Sequence, residues 1–141
     1  MPYEFLDDGV TSDVTFHAWG RSLEELFSAA ADATLNVMVR SVESVRPLET
    51  RSASVEADAL DLLLMRFLDE LIYRKDVEEL LLRAKELHVD TERNRVQTVL
   101  TGERIDPKRH ELVADVKAVT LHDLRVERSA TGWDAHVTLD V

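Results

Sequence analysis

Apolar and polar residues alternate from Asp13 to Trp19, with Val14, Phe16 and Ala18 on one face and Asp13, Thr15, His17 and Trp19 on the other. That is the period of a half-buried strand, and Gly20 ends it. Ser22 followed by Glu25 is a capping box, in which hydroxyl and carboxylate satisfy the free amides of a helix start. Leu23, Leu26, Phe27, Ala30, Thr34, Val37 and Met38 then recur at spacings of three and four, predicting a helix over Leu23 to Met38 that buries one stripe.

Pro47 precedes a second alternating stretch, Thr50 to Ala57, which reads as a strand. Asp58 with Asp61 opens a second helix whose stripe is Leu60, Leu63, Leu64, Phe67, Leu68, Leu71 and Ile72. Its run Leu60 to Met65 is apolar nearly all round, so this helix is expected to be covered on more than one side. From Val77 onward the pattern is mostly strand-like: Leu80 to Val89, Arg95 to Thr101, Leu112 to Thr120, Leu124 to Arg128 and Trp133 to Val141. Ser129-Ala130-Thr131-Gly132 joins the last two as a hairpin loop. Strand, helix, strand, helix and then several strands predicts an α+β fold, a two-layer sandwich of two helices packed on a largely antiparallel β-sheet. Parallel winding would need helices between the late strands, where there is no room for them.

Composition narrows the function classes. The 141 residues suit one domain spanning 1–141, and Gly and Pro are too sparse to mark a linker or repeat. With 28 acidic against 17 basic residues the formal charge is −11, which disfavours avid nucleic-acid binding, since that depends on basic side chains displacing counterions. No apolar run reaches membrane-span length and the N-terminus lacks a signal-peptide pattern, so a cytoplasmic protein is expected. The absence of cysteine restricts any metal site to oxygen or imidazole donors.

Two carboxylate groupings stand out. On the last predicted strand Trp133, Ala135, Val137, Leu139 and Val141 share one face, leaving Asp134, His136, Thr138 and Asp140 on the other. Asp140 therefore projects away from the core, one peptide from the carboxylate of Val141; the two repel unless a cation or basic group compensates them. The alternative is a frayed, solvated tail. Asp7, Asp8 and Asp13 form the second grouping, which either feeds a hard cation or makes a turn and a solvated strand start. The histidines 17, 88, 110, 122 and 136 show no metal-ligand spacing, and no phosphate loop, nucleophile elbow or zinc-protease motif is present.

The chain resembles the archease family along essentially its whole length. The resemblance rests on Tyr3-Glu4-Phe5-Leu6-Asp7, Ser12-Asp13-Val14, Ala18-Trp19-Gly20-Arg21-Ser22 with the following Leu23 to Phe27, and Phe67-Leu68-Asp69-Glu70-Leu71-Ile72-Tyr73. It continues through Gly102-Glu103, Arg109-His110, Val116-Lys117-Ala118-Val119-Thr120-Leu121-His122 and Val137-Thr138-Leu139-Asp140-Val141. The resemblance implies a compact α+β activator of the RNA-splicing ligase RtcB, promoting guanylylation and repeated turnover in tRNA splicing and RNA repair. It implies a metal site at Asp13, Asp140 and Val141, a divalent ion with Ca²⁺ first and Mg²⁺ or Mn²⁺ as alternatives, and a functional lysine at Lys117. Many members carry His-Thr-Ala-Asp where this chain has the longer Asp8-Gly9-Val10-Thr11-Ser12-Asp13, which leaves Asp8 as an extra ligand candidate.

Three functions follow as expectations. The first is a non-enzymatic ligase activator, the second a stand-alone metal-dependent phosphate-processing enzyme with His122 or His136 as base, and the third a chaperone-like partner of RNA-modification enzymes.

Overall fold

The computed structural model describes residues 1–6 and 13–141; of the expected N-terminal carboxylates, Asp7 and Asp8 lie outside the described residues and Asp13 opens the second strand. In chain order the elements are β1 (Tyr3–Leu6), β2 (Asp13–Gly20), α1 (Leu23–Met38), β3 (Glu49–Glu56), α2 (Leu60–Glu78), β4 (Leu80–Asp90), β5 (Arg95–Arg104), β6 (Ala118–Val119), β7 (Arg125–Ser129) and β8 (Gly132–Asp140). Two helices pack on antiparallel strands, as the element order predicts. The strands divide into two sheets: β1-β2-β8-β6 with β7 also on β8, and β3-β5-β4. No helix among the described residues is long and apolar enough to cross a membrane.

The capping box sets the start of α1 as expected: Ser22 Oγ accepts from the Glu25 N–H at 3.1 Å and Glu25 Oε2 accepts from the Arg21 N–H at 2.7 Å. Burial of the helices departs from expectation. In α1, 11 of 16 residues are buried, whereas α2 buries 7 of 19, so α1 is the enclosed helix and α2 is covered along one face. The run Ala29, Ala30, Ala31 and Ala33 explains this, because small side chains let neighbouring backbones approach on several sides. In α2, Leu60 and Met65 pack only partly against the core. The helices meet through Phe27 and Phe67, whose ring centroids are 5.8 Å apart.

The boundaries of α2 also differ. Asp58 does not cap it: the N-cap is Ala59, without a side-chain bond, and Asp61 Oδ1 accepts instead from the Leu62 N–H. The helix continues through Val77, where strand character was expected, and stops only at Glu79, held left-handed at φ 56°. The expected strand Leu112 to Thr120 shrinks to Ala118–Val119. Its earlier part is tied to the end of α1, with the Val113 N–H on Met38 O at 2.9 Å and a bridge between Leu112 and Val39. Between β7 and β8 the loop contains only Ala130 and Thr131, because Ser129 already pairs with Gly132. A side chain at Gly132 would put its Cβ 2.1 Å from Gly20 O, so this close approach requires glycine.

Candidate functional site at the Asp13 and Asp140 strand ends

The site follows from strand register. In the antiparallel β2–β8 pair Asp13 is the Cα partner of Asp140, followed on the same face by Thr15 with Thr138, His17 with His136 and Trp19 with Asp134. Directly opposed Cα atoms in such a pair lie about 4.5 to 5.5 Å apart, within reach of one cation for two aspartates. Both aspartates and Val141 are half-buried, so Asp140 belongs to a paired strand and not to a frayed tail. On the far side of β8, β6 pairs Ala118 with Asp140, and the Lys117 N–H donates to Asp140 O at 2.8 Å. Lys117 itself is exposed. Asp13, Asp140, Val141 and Lys117 thus converge on one sheet end.

The donor chemistry of the pair fits a hard cation: two opposed aspartate carboxylates, all oxygen. Among the described residues, no group of three or more His, Asp or Glu side chains is arranged to hold a metal ion. The aspartates are therefore a pair, and the third expected donor is the main-chain carboxylate of Val141.

The histidines occupy other places. His17 lies 3.4 Å from Glu4 Oε1 and 3.6 Å from Asp134 Oδ1. His136 Nδ1 donates to Asp123 O at 3.0 Å and is four residues, about 13 Å along an extended strand, from Asp140. His122 is exposed and 3.5 Å from Asp123 Oδ2.

Sequence reasoning passed over a buried lysine on α2 and a buried carboxylate–imidazole cluster at the end of β5. The first is Lys75, 7% exposed, with its ammonium 2.5 Å from Asp115 Oδ1, 2.7 Å from Val116 O and 2.5 Å from Asp76 Oδ1. Burial works against its charge, yet the bonds to Asp115 and Asp76 outweigh that cost and push its pKa up. The available signal was its position, one turn beyond Leu71 on the apolar stripe of α2. The second is Glu103, 4% exposed, which accepts from the Arg46 N–H at 2.6 Å, from the Arg46 side chain at 3.2 Å and from Arg109. His110, 2% exposed, completes this cluster: its Nδ1 accepts from the Asp106 N–H at 2.9 Å, and its Nε2 lies 2.8 Å from the Arg109 guanidinium and 3.3 Å from Glu103 Oε2. Its signal was the spacing of Gly102-Glu103 and Arg109-His110.

The Archease protein family (MTH1598/TM1083) model matches residues 3–141. Protein archease of Pyrococcus abyssi is 37% identical over 134 residues, covering 93% of this chain and 94% of that protein. The solution structure of Methanobacterium thermoautotrophicum protein 1598 superposes with a TM-score of 0.83 at 32% identity, covering 99% of both chains. The crystal structure of an archease from Thermotoga maritima, described as a possible chaperone, is similar in fold, with a TM-score of 0.67 at 18% identity over 94% of this chain and 93% of that one. Family match, identity and fold all extend over the strands that carry the aspartate pair, and the chain belongs to the archease family.

Proposed function

We propose that this chain is a non-enzymatic activator of an RtcB-type RNA ligase, working in the cytoplasm in tRNA splicing and RNA repair. It acts through a divalent cation held by Asp13, Asp140 and the Val141 carboxylate, with Lys117 alongside. The observation that carries this reading is the register that opposes Asp13 to Asp140 and hangs Lys117 on the Asp140 carbonyl. An all-oxygen set suits Ca²⁺ first, with Mg²⁺ or Mn²⁺ next. When bound, such an ion supplies positive charge that offsets the aspartates and attracts phosphate oxygens. Lys117 adds an exposed point charge able to meet a phosphate or a partner carboxylate. The ligase assignment is supported by the family resemblance of these same positions. The charge of −11 agrees with a protein that engages the ligase and leaves the RNA to it.

The test is guanylylation of such a ligase with and without this protein, across a Ca²⁺, Mg²⁺ and Mn²⁺ series. Asp13→Ala, Asp140→Ala and a tag after Val141 are expected to abolish stimulation with the fold intact; full stimulation by the tagged protein overturns the cation site. A chaperone-like role, favoured by the description of the Thermotoga relative, would tolerate Asp140→Ala. A stand-alone enzyme finds less support, because His136 lies too far along the strand to deprotonate a water at Asp140.

A further inference from the structure

From Ile105 to Lys117 the backbone has little regular structure, yet it delivers Lys117 to a fixed place beside β8. Helix α2 lies beneath its last part. Lys75 reaches up from the buried face of α2 and donates to Asp115 Oδ1 at 2.5 Å and Val116 O at 2.7 Å. Asp76 Oδ1 at 2.5 Å is its third acceptor, so all three ammonium protons have partners. Six residues earlier on the same helix, the Asp69 carboxyl faces the Val119 backbone N–H, whose pull on the carboxylate opposes the effect of burial. The helix thus grips the strap at residues 115–116 and again at 119. Lys117 falls between the grips, and its own N–H bonds Asp140 O at 2.8 Å.

A lysine on the core stripe of a helix needs a reason. An apolar residue of similar length would fill the same space without desolvating a charge, and a buried ion pair is in general weak support for stability, its best attested use being to fix one arrangement among several. Lys75 also satisfies the carbonyl of fully buried Val116, which an apolar side chain could not.

We infer that Lys75 is a positioning residue for the Asp13, Asp140 and Lys117 site, locking residues 115–119 onto α2 so that Lys117 is held beside Asp140. The inference rests on the role proposed for Lys117, and its test separates the two. Amide hydrogen exchange of the full chain is compared for the wild type and Lys75→Met. The variant is expected to speed exchange of the Lys117 and Val119 amides at least about tenfold while the amides of Val137 and Leu139 keep their protection. Ligase stimulation should fall to the level of Lys117→Ala. Ile72→Val, which trims one methylene from the buried face of the same helix and keeps the Lys75, Asp76 and Asp115 side chains, should stimulate fully and show no local change at Lys117 or Val119. If Lys75→Met does not fold, Asp115→Ala removes one exposed acceptor of the same ammonium and is expected to show the same faster exchange at Lys117 and Val119; unchanged exchange there overturns the inference.

Unchanged exchange at Lys117 and Val119, or a loosened strap with full stimulation, overturns the inference. Full stimulation by Lys117→Ala would instead overturn the role of Lys117, and the exchange data would still decide whether Lys75 holds the strap.

Discussion

Thr15 Oγ1 and Thr138 Oγ1 lie 2.9 Å apart, on the pair next to Asp13 and Asp140 along the same sheet face. Both threonines are buried, at 4% and 0% exposure, on a face whose alternation predicts a polar surface. A one-residue slip of β8 would turn every side chain to the other face, and the hydroxyl pair opposes such a slip where the aspartates need it. Thr15→Val and Thr138→Val are each expected to cost about 1 kcal/mol, with less than additive loss in the double variant. Denaturant titration of the four proteins measures this; strict additivity would mean the hydroxyls do not act together.

The aspartate pair should make stability depend on divalent cations. Two opposed carboxylates repel, so a cation binding only the folded chain stabilises it, by about 2.7 kcal/mol at a hundredfold excess over Kd. Asp140→Asn removes one charge and one strong donor. In chelator its melting temperature is expected to match or exceed that of the wild type, and the rise with Ca²⁺ is expected to vanish. Equal responses in both proteins would place the cation elsewhere.

Glu79 ends α2 with φ 56° and ψ 37°, its N–H bonded to Arg74 O. A non-glycine residue is strained in the left-handed region, whereas glycine is not. Glu79→Gly relieves that strain but adds freedom to the unfolded chain, so a net gain of up to about 1 kcal/mol is expected. Glu79→Val, β-branched at the same φ, should lose more than that. Thermal melts decide; destabilisation by glycine would show that the strain is smaller than the added freedom of the unfolded chain and the contacts of the Glu79 side chain together.

What the sequence made legible follows from where the information sits. The start of α1 could be read because Ser22 and Glu25 supply the cap locally. The end of α2 could not, because its stop is a left-handed glutamate, and Val77 and Glu78 carry no break signal. Leu112 to Thr120 looked like a strand because apolar residues recur in it, but Leu112 and Val113 bond to the end of α1 and Val116 to Lys75. The face shared by Asp13 and Asp140 was visible in each strand separately, from the period of two. Their pairing came only from the family resemblance, and the register now supplies it. Lys75 stayed hidden because a lysine near a helix C-terminus normally reaches solvent, and only the distant segment 115–116 makes its burial sensible.

His110 should give the fold a pH dependence in a range where ordinary carboxylates do not titrate. Burial, with the nearby Arg109 guanidinium, holds its pKa below the ordinary value of 6.5, against a weaker pull from Asp106. Glu103 Oε2 is near but already engaged by Arg46 and Arg109, and protonating Nδ1 would sacrifice the bond from the Asp106 N–H. Because the folded-state pKa is depressed, the unfolded chain takes up a proton first as pH falls. Stability from this group is full above the ordinary imidazole range and declines as pH drops below about 6.5 toward the folded-state value, with a slope of at most about 1.4 kcal/mol per pH unit. Denaturation at pH 7.5 and pH 5.5 should show the wild type weaker at the lower pH. His110→Gln, less stable overall for the loss of its packing and its bonds, should show a smaller difference between the two. An equal difference in both proteins would assign the pH dependence to another group.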